Sequence, residues 1–258
     1  LNLNQELIGV PRPLFEPKTL TLSNSSLRTY EECPYMFQFS KLERTPTPSN
    51  VFLDLGSSIH NMIQDVSKDT GKIPKKDDAI TKLKEKWIFK SYQNKSTENT
   101  FWKRAEQMTE NYLNWRNTNK NKLIKSEMDF DFEYEGVTIN GRIDWLEENP
   151  NGDYEVVDFK TGKTAVSRAE AEEDWQLNIY ARAIEEKYGK LPVKASLYFL
   201  DLNKKVEFDV DKKKVDKVLD EKINPIIKKI LSSDFTAKPE QYKCRNCDYK
   251  DMCEYSKA

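Results

Sequence analysis

Histidine is nearly missing from this chain: His60 is the only one in 258 residues, so any imidazole chemistry rests on a single ring. No apolar run approaches the roughly 20 residues that a membrane-spanning helix needs, which excludes that architecture. The opening residues Leu1-Asn2-Leu3-Asn4-Gln5 lack a basic stretch followed by an apolar one, so no signal peptide is legible. The expected setting is therefore intracellular, cytoplasmic or nucleoid-associated. An initiator Met is also absent, and the expectation is a fragment of a longer chain or a processed product. Charge of one sign is lacking too. With 42 Lys and Arg against 43 Asp and Glu, there is no broad basic coat, although a local basic groove stays possible because distribution matters more than the sum. Lys120 to Lys125 and Lys212-Lys213-Lys214 are candidates for such a groove, or simply solvated faces. No internal repeat is visible.

What is present is a globular mixture, 37% hydrophobic and 33% charged, long enough for one large domain with a single core. Residues 1–20 carry Pro11, Pro13 and Pro17 and read as an extended arm or linker, leaving 21–258 as the domain. Ser23 to Glu32 reads as a helix with Leu27 and Tyr30 inward, stopped at Cys33-Pro34. Phe52, Leu55, Ile59 and Ile63 have the spacing of a helix over 52–66 that buries one face. Residues 77–125 read as a mostly helical insertion, anchored by Trp87, Phe101, Trp102, Met108, Tyr112 and Trp115.

From Ser126 the pattern alternates. Met128, Phe130, Phe132 and Tyr134 share one face, Glu135-Gly136 turns the chain, and Val137 to Trp145 continues. Asn149-Pro150-Asn151-Gly152 turns it again into Tyr154 to Lys160, completing an antiparallel meander. A helix over 168–188, closed by Gly189, then a hairpin (195–200 and 205–210) and a final helix (211–231, bent near Pro225) complete an α/β order.

Strand geometry concentrates chemistry at one place. Residues two apart point to the same side, so Asp158 and Lys160 project together while Val157 and Phe159 face away. Asp144 lies opposite Ile143 and Trp145 on the preceding strand. If these strands pair, two carboxylates and an ammonium converge, as hydrolysis of a phosphodiester requires. Carboxylates bind magnesium or manganese, the ion polarises phosphate and acidifies water, and a lysine orients that water or balances developing charge. His60 offers a further ligand. The plain alternative is a surface Asp–Lys pair of little energetic value and a merely packed histidine.

The chain resembles the RecB-like branch of the PD-(D/E)XK nuclease superfamily. Five segments match in order: Ser25 to Pro34 (the opening helix), Gly56-Ser57-Ser58-Ile59-His60, Gly141-Arg142-Ile143-Asp144, Val157-Asp158-Phe159-Lys160-Thr161-Gly162, and Gln176-Leu177-Asn178-Ile179-Tyr180. The resemblance implies a restriction-endonuclease-like core, a central mixed sheet flanked by helices. It implies His60, Asp144 and Asp158 as metal ligands with the Phe159 carbonyl, and Lys160 as the catalytic lysine. Gln176 and Tyr180, one helical turn apart, would touch DNA or support the site, and Glu127 would be an accessory acid. Asp158 departs mildly from relatives that place Glu there; both residues serve as ligands.

The four cysteines, in a chain read as intracellular, suggest a metal or redox site rather than disulfides. Cys244, Cys247 and Cys253 cluster in the tail (244–253), and Cys33 stands alone upstream. Zinc sites draw ligands as two close pairs, whereas three clustered cysteines plus a remote one fit a cubane iron–sulfur cluster at least as well. AddB-type exonucleases and CRISPR-adaptation nucleases carry this arrangement around a [4Fe-4S] cluster, so the resemblance implies a clamp joining the N- and C-terminal segments. The implied function is a Mg- or Mn-dependent DNA nuclease, an exonuclease on single-stranded DNA or DNA ends, in repair, recombination or defence. A helicase domain or subunit is the implied partner. Two other readings are a catalytically inactive DNA-binding iron–sulfur scaffold and a zinc or iron–sulfur redox protein.

Overall fold

The computed structural model describes residues 20–47, 49–68 and 72–258. The expected extended arm thus lies outside the described residues, apart from Leu20. The order is β1 (Thr21–Ser23), α1 (Asn24–Glu32), α2 (Pro34–Phe37), α3 (Val51–Val66), α4 (Lys76–Lys86), α5 (Lys95–Thr118), β2 (Lys122–Tyr134), β3 (Val137–Glu148) and β4 (Tyr154–Lys160). Then come α6 (Arg168–Glu172), α7 (Trp175–Tyr188), β5 (Lys194–Phe199), β6 (Lys204–Asp209), α8 (Lys212–Val218), α9 (Asn224–Leu231) and α10 (Gln241–Arg245). Among the described residues, no helix is long and apolar enough to cross a membrane.

The chain divides into two compact units. The larger holds residues 46–132 and 140–222 and is built on a mixed sheet, with β2 and β4 both pairing with β3 and the order continuing through β5 to β6. β3 and β4 are antiparallel, β4 and β5 parallel, and β5 and β6 antiparallel. The parallel pair needs a crossover, supplied by α6 and α7. On one face Trp145, Val157, Phe159 and Tyr198 pack into a core with Leu55, Ile59 and Ile63 of α3 and Met108 and Tyr112 of α5. Trp115 lies 5.4 Å from Trp145 and 5.6 Å from Phe159, ring to ring. Removing one such ring costs about 3–5 kcal/mol. On the other face α7 packs against β4 and β5, with Leu177, Tyr180 and Ile184 buried. Helices therefore flank this sheet on both faces, as the α/β reading anticipates.

Buried Glu147 ties the α5–β2 connection to β3. Its carboxylate accepts from Asn119 Nδ2 (2.6 Å), Asn121 Nδ2 (2.9 Å) and Trp145 Nε1 (2.8 Å). Three donors satisfy a charge that would otherwise be costly to bury.

The smaller unit comprises residues 20–45, 133–139 and 223–258 of the described chain. Ser23 caps α1 in a reciprocal capping box with Ser26, and α1 ends at Cys33 because Pro34 opens the next helix. Thr138 N–H donates to Leu20 O (3.0 Å), seating β1 beside the start of β3. Glu135 and Gly136, both left-handed (φ 49° and 79°), form the two-residue turn of the β2–β3 hairpin.

Several boundaries differ from the sequence reading. β2 starts at Lys122, so 122–125 are strand and not the end of a helical segment. The 168–188 helix is two helices, because Asp174 accepts from Leu177 N–H and starts a new one. Asn178 closes the gap, donating to the carbonyls of Glu172 and Asp174. The last long helix is likewise split, with the wide turn Leu219–Ile223 separating α8 from α9 and Pro225 in the first turn of α9. Phe52, counted on the buried face of its helix, is 65% exposed; the buried stripe starts at Leu55.

Candidate metal-dependent active site

The site lies wholly within the larger unit. The register that sets Trp145 opposite Val157 makes Asp144 and Asp158 the next residue beyond that pair on β3 and β4. Both are buried, at 7% and 1% exposure. Asp144 Oδ2 accepts from the Phe159 N–H at 2.8 Å, which fixes one oxygen and leaves the other free of that bond.

His60 comes from α3. Its Nε2 lies 3.2 Å from the Phe159 carbonyl, and its Nδ1 lies 3.3 Å from Glu127 Oε1 and 3.6 Å from Asp144 Oδ2. Burial opposes charge on this ring, but Asp144, the Glu127 hydrogen bond and Asp158 outweigh it, so its pKa is raised. Oxygens face both ring nitrogens, and together with the neighbouring carboxylates they favour the protonated ring. Asp144 is pushed upward by burial and then by Asp158, with His60 opposing.

Glu127 arrives by a device that alternation hides. Leu123 and Met128 are both buried although five residues apart, so the strand changes parity between them. Glu127 stands at the change with φ 48°, the left-handed region that non-glycine residues enter at a cost of about 1–2 kcal/mol. That reversal turns its carboxylate to His60.

On the same sheet face, Lys160 Nζ lies 2.6 Å from Asp158 Oδ2 and donates to Gln176 Oε1 at 2.8 Å. Gln176 Nε2 donates to the Tyr180 hydroxyl (2.7 Å), which donates in turn to Asp158 Oδ1 (3.4 Å). Burial disfavours the lysine's charge, but Asp158 outweighs it and its pKa rises, so Lys160 stays an ammonium. Burial, then Asp144 and Asp158, hold the Tyr180 phenol neutral.

All the sequence-predicted residues of this constellation therefore meet, in two subsets. His60, Glu127 and Asp144 bring donor atoms within 4.8 Å of one another. Asp158 addresses Lys160 and Tyr180. Sequence reasoning missed Arg142, whose guanidinium lies 3.8 Å from Glu127 and 2.7 Å from Asp129. It missed Arg104 as well, which pairs with Asp201 (2.8 Å) and donates to the Thr161 carbonyl, holding the residue after Lys160. Arg104 is one of many polar residues on a long helix, so no sequence signal marks it. Of the lysines considered for a groove, Lys212 and Lys214 are paired with Glu185 and Glu172.

In the smaller unit, Cys33, Cys244, Cys247 and Cys253 are free thiols lining one cleft. Tyr35, Phe39, Tyr249 and Tyr255 wall it, with Phe39 stacked on Tyr249 at 5.3 Å. Lys238 N–H points to Cys33 Sγ at 3.5 Å. Burial, followed by Cys253 and Cys33, pushes the Cys247 thiol up, although the Tyr249 N–H opposes it.

Carboxylates on neighbouring strands, an imidazole from α3 and an ammonium beside them form a cluster with the donor chemistry to hold a hard divalent cation next to a cationic side chain. The chain belongs to the PD-(D/E)XK nuclease superfamily, whose sequence pattern matches residues 21–254. It is similar to Gene 69 protein of Mycobacterium phage D29, at 23% identity over 265 residues, covering 90% of this chain and 95% of that one. It is also similar to one chain of the ATP-dependent helicase/deoxyribonuclease of Streptococcus uberis, at 24% identity over 170 residues. That match covers 63% of this chain but only 16% of the Streptococcus chain. A solved Eubacterium rectale protein, provisionally called an exonuclease, matches at 12% identity and a TM-score of 0.39 over 80% of this chain and 93% of its own.

Proposed function

We propose that this chain is a magnesium- or manganese-dependent DNA nuclease, cutting single-stranded DNA or DNA ends as an exonuclease. The observation that carries it is the donor trio His60, Glu127 and Asp144 set beside the Lys160–Asp158 pair. The donor chemistry fits a hard divalent ion: two carboxylates and one imidazole within reach of one another, with the Phe159 carbonyl 3.2 Å from the same ring. Asp158 completes the acidic set. A bound ion supplies Lewis-acid charge for the phosphate and acidifies a water. A protonated His60 and such a cation would be alternative ways to neutralise the same carboxylates, so His60 would give up its proton on becoming a ligand.

Lys160 is a fixed positive charge, not a base, because Asp158 keeps it protonated. Its role is to orient the attacking water and stabilise charge developing on the phosphoryl oxygens. Gln176 holds the ammonium, and the neutral Tyr180 hydroxyl holds Asp158.

The four-thiol cleft is the proposed seat of a [4Fe-4S] cluster. Four unpaired cysteines in one aromatic-walled cleft fit a thiolate-held group, and its role would be to clamp Cys33 to the C-terminal tail. Action alongside a helicase domain or subunit, in repair, recombination or defence, is the corresponding biological reading. It is supported by the similarity to the Streptococcus helicase/deoxyribonuclease chain.

The test is cleavage of end-labelled single- and double-stranded DNA by anaerobically purified protein with manganese, magnesium or EDTA, beside Lys160→Ala. Metal-dependent cutting lost in the variant supports the reading, and product lengths give polarity. Retained DNA binding without cutting under any metal would leave an inactive scaffold instead. Iron and acid-labile sulfide are assayed on the same preparation; stoichiometric zinc without sulfide would sink the cluster.

A further inference from the structure

Beyond the catalytic cluster, the three most exposed large apolar side chains among the larger unit's described residues are Phe52 (65% exposed), Leu53 (62%) and Phe89 (66%). They are not on a loose segment. Phe52 and Leu53 occupy the first turn of α3, whose N-terminus is capped by Asn50 accepting from both of their N–H groups. Phe89 lies in the α4–α5 connection, between two anchors on α3. Ile88 N–H donates to Ser58 Oγ (2.9 Å), and Ser91 N–H donates to buried Asp54 (3.0 Å). Holding large apolar side chains in water on a hydrogen-bonded frame forgoes the usual gain of burial, and groups held exposed in this way mark a recognition surface.

Its position relates it to the catalytic cluster. Phe52 precedes His60 by eight residues on one helix, about 12 Å along the axis. The Phe52 ring lies 5.7 Å from that of Phe101, and Arg104 sits over the Phe101 ring at 5.2 Å. Arg104 also holds the Thr161 carbonyl, immediately after Lys160. One turn beyond Phe52, a Cβ at Gly56 would lie 3.5 Å from Thr161 Oγ1. A continuous series of contacts thus links the Phe52 ring to the residue that follows β4.

Charge selects the occupant. Exposed Lys90 directly follows Phe89, and exposed Lys163 follows Thr161 and Gly162. The nearby acids are engaged internally: Asp54 by Ser49 and Ser91, and Glu98 by Lys95 and Trp87. Apolar rings with a cation beside Phe89 match a polyanion that also presents flat apolar faces. Single-stranded nucleic acid does so; a duplex keeps its base faces stacked inside.

We propose that Phe52, Leu53 and Phe89 form a platform on which unpaired bases of a single strand stack while its backbone is led to the candidate metal site. This rests on the nuclease reading above. The platform reads no sequence, because every base has a face, so it selects single strands over duplex.

The test measures binding of the full chain in EDTA, where no cutting confuses the reading. The probes are a fluorescein-labelled oligothymidylate and an abasic strand of equal length, which keeps the phosphates and lacks the bases. The wild-type chain is expected to prefer the base-bearing strand about 10-fold or more. Phe52→Ala/Phe89→Ala is expected to abolish that preference while leaving abasic-strand affinity unchanged, and Phe52→Tyr/Phe89→Tyr to keep it. Both pairs replace exposed side chains, and equal melting temperatures establish that they fold. An undiminished preference in the alanine pair would overturn the platform and leave the patch to a protein partner. So would a wild type that binds and cuts DNA without any base preference, although the nuclease reading would then survive. A wild type that neither binds nor cuts nucleic acid would remove both.

Discussion

Gln176 accepts a hydrogen bond from Lys160 and donates one to Tyr180, so its amide is oriented from both ends. On the proposed reading it is a positioning residue, aiming the ammonium without touching His60, Glu127 or Asp144. Gln176→Leu is expected to lower the cleavage rate by about 10- to 100-fold, the scale on which a misplaced catalytic group is felt. The manganese-induced rise in melting temperature should persist. If the variant loses that rise too, Gln176 supports the metal donors and not the lysine alone.

Asp144 is buried among Asp158, Glu127 and His60, and burial together with Asp158 disfavours its charge. Asp144→Asn removes one of the mutually repelling carboxylates and keeps an oxygen for the Phe159 N–H. In EDTA its melting temperature should match or exceed that of the wild type, by up to about 4 °C. Added manganese should stabilise the wild type and leave the variant unmoved. A variant stabilised equally by manganese would place the ion elsewhere.

Gly141 faces the Phe130 ring so closely that a Cβ would lie 2.7 Å from it, and that ring meets Tyr180 at 5.8 Å. Gly141→Ala must displace the Phe130 ring, which packs on Tyr180. The expected cost is about 1–3 kcal/mol of stability in chemical denaturation, with activity reduced beyond what the unfolded fraction explains. Unchanged stability and activity would mean that the ring relaxes freely.

The Tyr198 hydroxyl lies 2.7 Å from Asn203 Oδ1, and burial pushes its pKa up to about 12. In the unfolded chain a tyrosine ionises near 10. Between about pH 10 and 12 the unfolded state therefore holds fewer protons than the native one, and stability falls as pH rises. Below pH 10 both states keep the proton and this residue gives no pH dependence. Tyr198→Phe should be less stable at neutral pH by about 1 kcal/mol. Its alkaline decline should be shallower than that of the wild type. Parallel declines would show that Tyr198 ionises normally.

The sequence by itself determined the elements whose evidence is local. Period-two alternation put Asp158 and Lys160 on one face and Val157 and Phe159 on the other, because strand geometry leaves no alternative. Gly189, left-handed at φ 73°, marked the end of α7 for the same local reason. The break at Asp174 was not legible, because apolar spacing runs through it while a side-chain cap restarts the helix. Exposure of Phe52 was not legible either: helical periodicity names a face, but only packing decides where that face is covered. Glu127 is the clearest case. Its approach to His60 depends on a left-handed backbone at one residue and on a helix more than sixty residues away, and neither leaves a mark in the order of side chains. The chain thus specified which chemical groups were present and which neighbours shared a face. Tertiary structure alone decided which of them meet, because convergence of α3, β2, β3 and β4 is a property of long-range packing.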